Sequence, residues 1–203
     1  LMGGAGEINK QQREFLEVVK SNTTRLTSLV DDLLNVSKIE AGESTLTIEK
    51  VNLQEIASEV LADVEQSYEE LGKEISATID VDGSLPELEL DENLIRTVFN
   101  NILENAFRYT ETGGSVNVRM EQQEGNVICE VEDSGIGISK EEQERVFDRF
   151  YRGENPLVMA SAGTGLGLPI VKDIIEMHGG TIALESDGVA NKGTRIRFSL
   201  PVG

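Results

Sequence analysis

Two glycine clusters constrain this chain more than any other stretch: Asp133-Ser134-Gly135-Ile136-Gly137 and Gly163-Thr164-Gly165-Leu166-Gly167. The first follows an apolar strand, Val127 to Val131, and the second opens an apolar helix. A short helix and a loop of Gly, Asn, Pro, Ala and Ser fill the interval. Glycine lets backbone approach a ligand closely, and a helix N-terminus offers unpaired N–H groups to an anion. The arrangement implies a fold built around a nucleotide held between a strand end and a helix start.

The elements that would carry such a site follow from periodicity. Leu46, Ile48 and Val51 alternate as a strand. Asn52 then caps a helix with Ile56, Val60, Leu61, Val64 and Leu71 on one face, ending at Gly72. Ile75, Ala77, Ile79 and Val81 alternate strictly, as in a half-buried strand. After the turn at Gly83–Pro86 and the apolar pair Leu88/Leu90, Asp91 starts a strong helix. Its core face is Leu94, Ile95, Val98, Phe99, Ile102, Leu103 and Ala106. Val116, Val118 and Met120 face Val127, Cys129 and Val131 in a hairpin. Beyond the first glycine cluster come a short helix capped by Ser139 with Glu142 three residues on, and a loop, Gly153–Ala162, suited to a mobile lid. A helix from Leu166 to Met177 and strands near Thr181–Glu185 and Thr194–Leu200 follow. Helices alternating with antiparallel strands, without repeats, predict an α+β layer with one sheet face covered by helices.

The first 42 residues read differently. Asn9 with Gln12 is a capping-box start. Phe15, Val19, Leu26, Leu29, Leu33 and Val36 alternate in steps of four and three, with Asn22 filling the gap, and Leu16, Val30 and Leu34 add a second stripe. That is a heptad seam on a helix running to Ala41, roughly 50 Å long. Such a helix predicts a bundle with partners from outside its own domain. Residues 1–41 carry five bases and six acids, which leaves −18 of the net charge of −19 for the remainder. A domain boundary near residue 42 fits that split, giving regions 1–42 and 43–203.

The net charge of −19 argues against nucleic acid or an anionic membrane as partner, since both call for basic surfaces. No run of about 18 apolar residues exists, so no direct membrane contact is expected. Cys129 stands alone in an apolar strand and reads as core filler in a reducing compartment.

Polar chemistry concentrates on the helix after Asp91. Asn101, Asn105 and Arg108 lie at i, i+4 and i+7, within about 60° of arc. Asn is a poor helix former, so two aligned with an Arg ask for a reason beyond a solvated edge. A carboxamide oxygen suits Mg²⁺, its NH₂ can donate to phosphate, and Arg108 adds fixed positive charge. Asp133, at the end of its strand, suits an exocyclic amine such as that of adenine; it equally suits a turn before Ser134-Gly135. Phe147-Asp148-Arg149-Phe150-Tyr151-Arg152 can be helix-end packing or a hinge that brings Arg149 or Arg152 to a phosphate.

The order of these stretches resembles sensor histidine kinases of two-component systems. Asn101-Ile102-Leu103-Glu104-Asn105-Ala106-Phe107-Arg108-Tyr109-Thr110 resembles their N box, and Asp133 to Gly137 their first glycine box. Phe147 to Arg152 resembles the phenylalanine box and Gly163 to Gly167 the second glycine box. Leu33-Leu34-Asn35-Val36-Ser37-Lys38-Ile39-Glu40-Ala41-Gly42 resembles the end of the second dimerisation helix. The resemblance implies a Bergerat-type ATP-binding sandwich: a two-layer α+β domain whose mixed, mostly antiparallel sheet is covered by helices, preceded by a bundle-forming helix.

By that match, Asn101 and Asn105 hold Mg²⁺ and phosphates, Arg108 replaces the usual Lys, Tyr109 flanks the nucleotide and Asp133 binds the adenine amine. Gly163, Thr164, Gly165, Leu166 and Gly167 cap the phosphates; Gly135, Gly137, Ile138, Arg152 and Leu168 complete the ATP-binding set. Gyrase-type relatives carry a water-activating Glu where this chain has Asn101, which favours transfer to a protein acceptor over hydrolysis. Glu104 faces another direction and is a weaker catalytic candidate beside Asn101 and Arg108.

The implied activity is transfer of the ATP γ-phosphoryl, leaving ADP, to a His of the dimerisation domain, for relay to an Asp on a response-regulator receiver domain. A homodimer through the dimerisation helices and a cytoplasmic location come with it. The family's phosphoacceptor motif is not found, and the one histidine, His178, reads as a helix-end turn residue in Met177-His178-Gly179-Gly180. Leu1-Met2 is then expected to be the last trace of the preceding helix. The competing readings are a regulatory pseudokinase that binds nucleotide without transfer, and a gyrase-type ATPase.

Overall fold

The computed structural model describes residues 9–13, 15, 16, 18, 19, 23, 46–161 and 163–202. Residues 10–13, 15, 16, 18, 19 and 23 are helical, and the capping box is formed. Asn9 Oδ1 accepts from the Gln12 N–H, and the Asn9 N–H donates to Gln12 Oε1, both at 2.9 Å. Phe15 and Val19 of the expected seam are exposed. Asn22, Leu26, Leu29, Val30, Leu33, Leu34 and Val36, the helix end at Ala41 and the boundary near residue 42 lie outside the described residues.

From residue 46 onward the order is β1 (Glu49–Val51), α1 (Leu53–Glu70), β2 (Ser76–Asp82), β3 (Leu88–Leu90), α2 (Glu92–Tyr109), β4 (Ser115–Gln123) and β5 (Asn126–Asp133). Then come α3 (Lys140–Gln143), α4 (Pro156–Ala160), α5 (Gly167–Met177), β6 (Thr181–Glu185) and β7 (Arg195–Pro201). Five strands form one sheet in the order β2-β4-β5-β7-β6, while β1 and β3 pair separately. One face of the large sheet carries Val116, Val118, Met120, Val127, Cys129, Val131, Ile196, Phe198 and Leu200, all buried beneath the helices. The Phe99 ring of α2 meets Phe198 of β7 edge-on, centroids 5.7 Å apart. Each such fully buried side chain contributes about 1.5–3 kcal/mol. The other face is polar: Asp80, Arg119, Glu130 and Arg197 stand in register across four strands, an alternation of acid and base.

The α+β layer with one covered face is as expected, and the sheet is mixed and mostly antiparallel, as the resemblance implies: among the described strands β2 alone runs parallel to its neighbour β4, pairing Ser76 with Ser115 through Asp82 with Glu121. Three local details differ. The first strand is shorter than its alternation suggested: Leu46 and Ile48 precede it, Ile48 is exposed, and Val51 alone turns inward. Leu71 does not join the core face; it is the C-cap of α1 and is 78% exposed. The helix stops there, where the Gly72 and Lys73 N–H groups return to the Glu69 and Tyr68 carbonyls. The stretch 153–161 is not structureless, since Asn155 caps the short helix α4 with Pro156 in its first turn.

α2 is the element that orients the rest. Asp91 caps it, its Oδ1 accepting from the Leu94 N–H at 3.2 Å and its Oδ2 from the Thr47 N–H at 3.0 Å. The Asp91 N–H donates to His178 Nε2 at 3.0 Å, and His178 Nδ1 donates to the Ile174 carbonyl at 2.8 Å. His178 is thus a buried clasp between the end of α5 and the start of α2, with both ring nitrogens occupied. The turn role read for it from the sequence is what the structure shows.

Candidate functional site

The polar end of α2 meets both glycine clusters. A β-carbon on Gly135 would lie 2.4 Å from the Tyr109 carbonyl oxygen, so only glycine permits that approach. The neighbouring Ile136 N–H donates to the same oxygen at 3.2 Å. On the second cluster, the β-carbon position of Gly167 falls 2.6 Å from Asn101 Oδ1. Asn101 is oriented by its own helix, Nδ2 donating to the Thr97 carbonyl at 2.9 Å. Asn105 is half-buried, and its carboxamide makes no hydrogen bond to a described residue.

Arg108 completes this row. Its Nη2 donates to Glu104 Oε2 at 3.2 Å, one turn back, and its Nη1 lies 3.7 Å from the β-carbon position of Gly163. Burial pulls the guanidinium down, but its neighbours Tyr68 and Glu104 outweigh it, and the net shift is upward. Glu104 is no solitary base: its Oε2 also accepts from the Tyr68 hydroxyl at 3.2 Å.

Asp133 sits where β5 ends and the first cluster begins. Its Oδ1 accepts from the Gly135 N–H at 2.8 Å and the Thr194 N–H at 3.2 Å, while Oδ2 has no described partner. Burial pushes the carboxyl up to about 6, against the two backbone donors that favour its charge. It is therefore mostly ionised at neutral pH, with one oxygen left to accept a hydrogen bond.

The loop between β6 and β7 forms the wall behind this carboxylate. Asn191 N–H donates to the Gly135 carbonyl at 2.9 Å, and Ser186 Oγ accepts from the Ile138 N–H at 3.0 Å while donating to the Gly193 carbonyl at 2.6 Å. Gly193 has φ +66°, and a β-carbon there would lie 1.7 Å from the Asp133 carbonyl oxygen. Thr194, Gly193 and Ser186 were not singled out from the sequence. Gly193-Thr194 was a visible turn signal before a strand, but nothing local tied it to a residue so far upstream.

Between the clusters, the aromatic segment and the loop are fastened at several points. Phe150, at φ +65°, donates its N–H to the Gly165 carbonyl at 2.9 Å. Arg149 pairs with Asp173 of α5 at 3.3 Å. Arg152 Nη2 donates to the Ser161 carbonyl at 2.7 Å and to the Val158 carbonyl, so it closes the loop around α4. At the loop's start, Glu142 Oε1 accepts from the Glu154 N–H at 2.9 Å. Tyr109 Oη stands 3.4 Å from Ser161 Oγ, which joins α2 to the loop's far end. Thr164 Oγ1 accepts from the Leu166 N–H at 3.1 Å, and α5 opens without a side-chain cap. Its first N–H groups therefore face the site as an anion-binding end.

The donor set suits a hard cation in one way only. Among the described residues no group of three or more His, Cys, Asp or Glu could hold a metal ion. The carboxamide oxygens of Asn101 and Asn105 are neutral and few, which fits Mg²⁺ that keeps several waters and relies on substrate phosphates. No helix among the described residues is long and apolar enough to cross a membrane.

Residues 90–203 match the family described as histidine kinase-, DNA gyrase B- and HSP90-like ATPase. The sensor histidine kinase WalK of Bacillus subtilis is 35% identical over 207 residues, covering 99% of this chain and 32% of that protein. The chain thus spans about a third of the length of the first of the curated relatives it matches. Full-length ShkA in complex with AMPPNP superposes with a TM-score of 0.81 at 25% identity, over 97% of this chain and 40% of that one. The histidine kinase ThkA in complex with the response regulator protein TrrA superposes with a TM-score of 0.74 at 26% identity, over 100% of this chain and 55% of that one.

Proposed function

This chain belongs to the family of histidine kinase-, DNA gyrase B- and HSP90-like ATPases, and we propose that it is the kinase core of a sensor histidine kinase. Its ATP-binding domain is of the kind found in those enzymes. On this reading residues 43–203 are the catalytic domain, and residues 1–42 belong to the dimerisation region. The observation that carries it is the meeting of three elements at one place. An Asn-Asn-Arg row on α2, a carboxylate with one oxygen uncommitted, and the uncapped start of α5 converge through the two glycine clusters.

Asp133 accepts a hydrogen bond from the adenine amine, a choice that guanine cannot satisfy. Gly135, Gly137 and Ile138 line the base side, with Tyr109 flanking. Arg108, Thr164 and the main chain from Gly163 to Leu168 draw the phosphates to the start of α5, and Arg152 braces the loop above them. Asn101 and Asn105 would hold Mg²⁺, which supplies charge neutralisation on the phosphates. With charges and positions preset, transfer is in the main a matter of orientation and electrostatics. Asn101 in place of a water-activating carboxylate favours a protein acceptor.

The acceptor is a His on a dimerisation helix of the whole protein, which acts as a homodimer in the cytoplasm, and the phosphoryl then passes to the Asp of a receiver domain. The solved complex of ThkA with a response regulator supports that last partner by likeness. Incubating the protein that includes the preceding helix with [γ-³²P]ATP and Mg²⁺ tests this. Acid-labile, alkali-stable label on that chain is expected. Nucleotide binding without label would leave a regulatory pseudokinase, and steady phosphate release by residues 1–203 would mark a gyrase-type ATPase.

A further inference from the structure

Resting on the reading of Arg108 as a phosphate contact, we propose that Tyr68 is a positioning residue for the phosphate site, acting on Arg108 through Glu104. Tyr68 lies on α1, outside every motif that the sequence reading singled out. Its hydroxyl donates to Glu104 Oε2 at 3.2 Å, and the same oxygen accepts from Arg108 Nη2 at 3.2 Å. The carboxylate is therefore held between two donors, one from each helix, and the guanidinium fork is held by the carboxylate.

The main chain of Arg108 is held from the same end of α1. Lys73 Nζ donates to the carbonyl oxygens of Phe107 and Arg108, the latter at 2.9 Å, and sits 5.3 Å from the centre of the Tyr68 ring. A cation on the final carbonyls of a helix is favourably placed against its dipole. Both ends of Arg108 are thus tied to one segment, 68–73, that has no contact of its own with either glycine cluster among the hydrogen bonds described. The ring of Tyr68 needs no hydroxyl to pack, since it lies against Phe107 with centroids 5.5 Å apart. What the hydroxyl adds is direction. An unrestrained Arg side chain carries rotamer entropy that a ligand would have to remove on binding. Holding the fork toward Gly163 in advance lowers that cost for a phosphate ligand and for no other.

Dissociation constants for ATP and for adenosine, in the wild type, Tyr68→Phe, Arg108→Ala and the double variant, test the proposal. Tyr68→Phe keeps the ring and is expected to weaken ATP about fivefold while adenosine changes by less than about twofold. In the Arg108→Ala background the same substitution is expected to change nothing further, because the link it cuts has lost its end. Glu104→Ala, which cuts the link in the middle, is expected to repeat the split between ATP and adenosine. Equal losses for ATP and adenosine, or an undiminished loss in the Arg108→Ala background, would overturn the role of Tyr68 while leaving the site intact. If the wild type binds ATP and Arg108→Ala binds it equally well, the phosphate contact itself fails, and the role of Tyr68 with it.

Discussion

Acidification from pH 7 to pH 5 should act on this domain with opposite signs, weakening adenine binding and strengthening the fold. Both effects trace to Asp133, whose carboxyl burial pushes up to about 6 from an ordinary 3.8. About nine-tenths of it is ionised at pH 7 and about one-tenth at pH 5. Binding that needs the carboxylate as acceptor then sees its competent fraction fall, and the apparent dissociation constant rises about tenfold. Adenosine is the ligand to use, because a terminal phosphate titrates near pH 6 and would blur the reading.

The folding sign is the reverse. The folded-state pKa lies above the unfolded one, so the contribution of this group is full below about 4 and is lost as pH rises through about 6. Between pH 7 and pH 5 it amounts to about 1.4 kcal/mol in favour of the unliganded fold. Other carboxylates titrate too, so the quantity to compare is wild type against Asp133→Asn. The variant keeps an oxygen for the Gly135 and Thr194 N–H groups but places a donor where the adenine amine needs an acceptor. Calorimetric titration of adenosine at several pH values should give a tenfold slope for wild type and a weak, flat response for Asp133→Asn. Thermal unfolding should show the stability difference between the two proteins shift by about 1.4 kcal/mol between pH 5 and pH 7, the wild type losing ground as pH rises. A flat wild-type affinity, or the same slope in the variant, would refute the assignment of Asp133 as the adenine acceptor.

Three further outcomes are expected. Asn105→Ala should remove most of the Mg²⁺-dependent part of ATP affinity, a loss of about tenfold, leaving adenosine binding unchanged when titrated in parallel with and without Mg²⁺. Gly193→Ala should destabilise the domain by about 3 kcal/mol or more in urea unfolding, since a β-carbon at φ +66° would be driven into the Asp133 carbonyl. His178→Ala should cost about 2–3 kcal/mol by the same measurement, because the buried Asp91 N–H and Ile174 carbonyl each lose a partner. Its ATP affinity under native conditions should stay close to wild type, as befits a clasp and not an acceptor.

What the sequence disclosed follows the reach of its signals. α2, the β4–β5 hairpin and the capping boxes at Asn9 and Ser139 rest on contacts within a few residues, and each is present. That the sheet is mixed came from the resemblance; which pair runs parallel, β2 with β4, was not legible, because alternation reports a strand's faces and says nothing of its neighbours. α4 is one turn long, too short for any period to register, and only Asn155-Pro156 marks its start. Leu71 fits the helical period but falls where the Gly72 turn has already ended the helix. Within the site, the Asn-Asn-Arg row was legible because one helix presents it. Tyr68, Lys73, Gly193 and Thr194 were not, since each acts on a residue brought near by tertiary folding alone.

The wall behind Asp133 also bears on how the domain comes into being. Asp133 meets Thr194 across 61 positions of chain, and Asp91 meets His178 across 87. β4 and β5 can zip together as soon as both have left the ribosome, being joined by the tight turn at Glu124 and Gly125. The carboxylate, however, has no second backbone donor until the residues leading into β7 are made and dock against β5. The surroundings of Asp133 are therefore completed late in synthesis, after the slow closure of a long loop. A nascent chain stalled before Gly193 would carry all four motifs while Asp133 still lacked one of its two backbone donors.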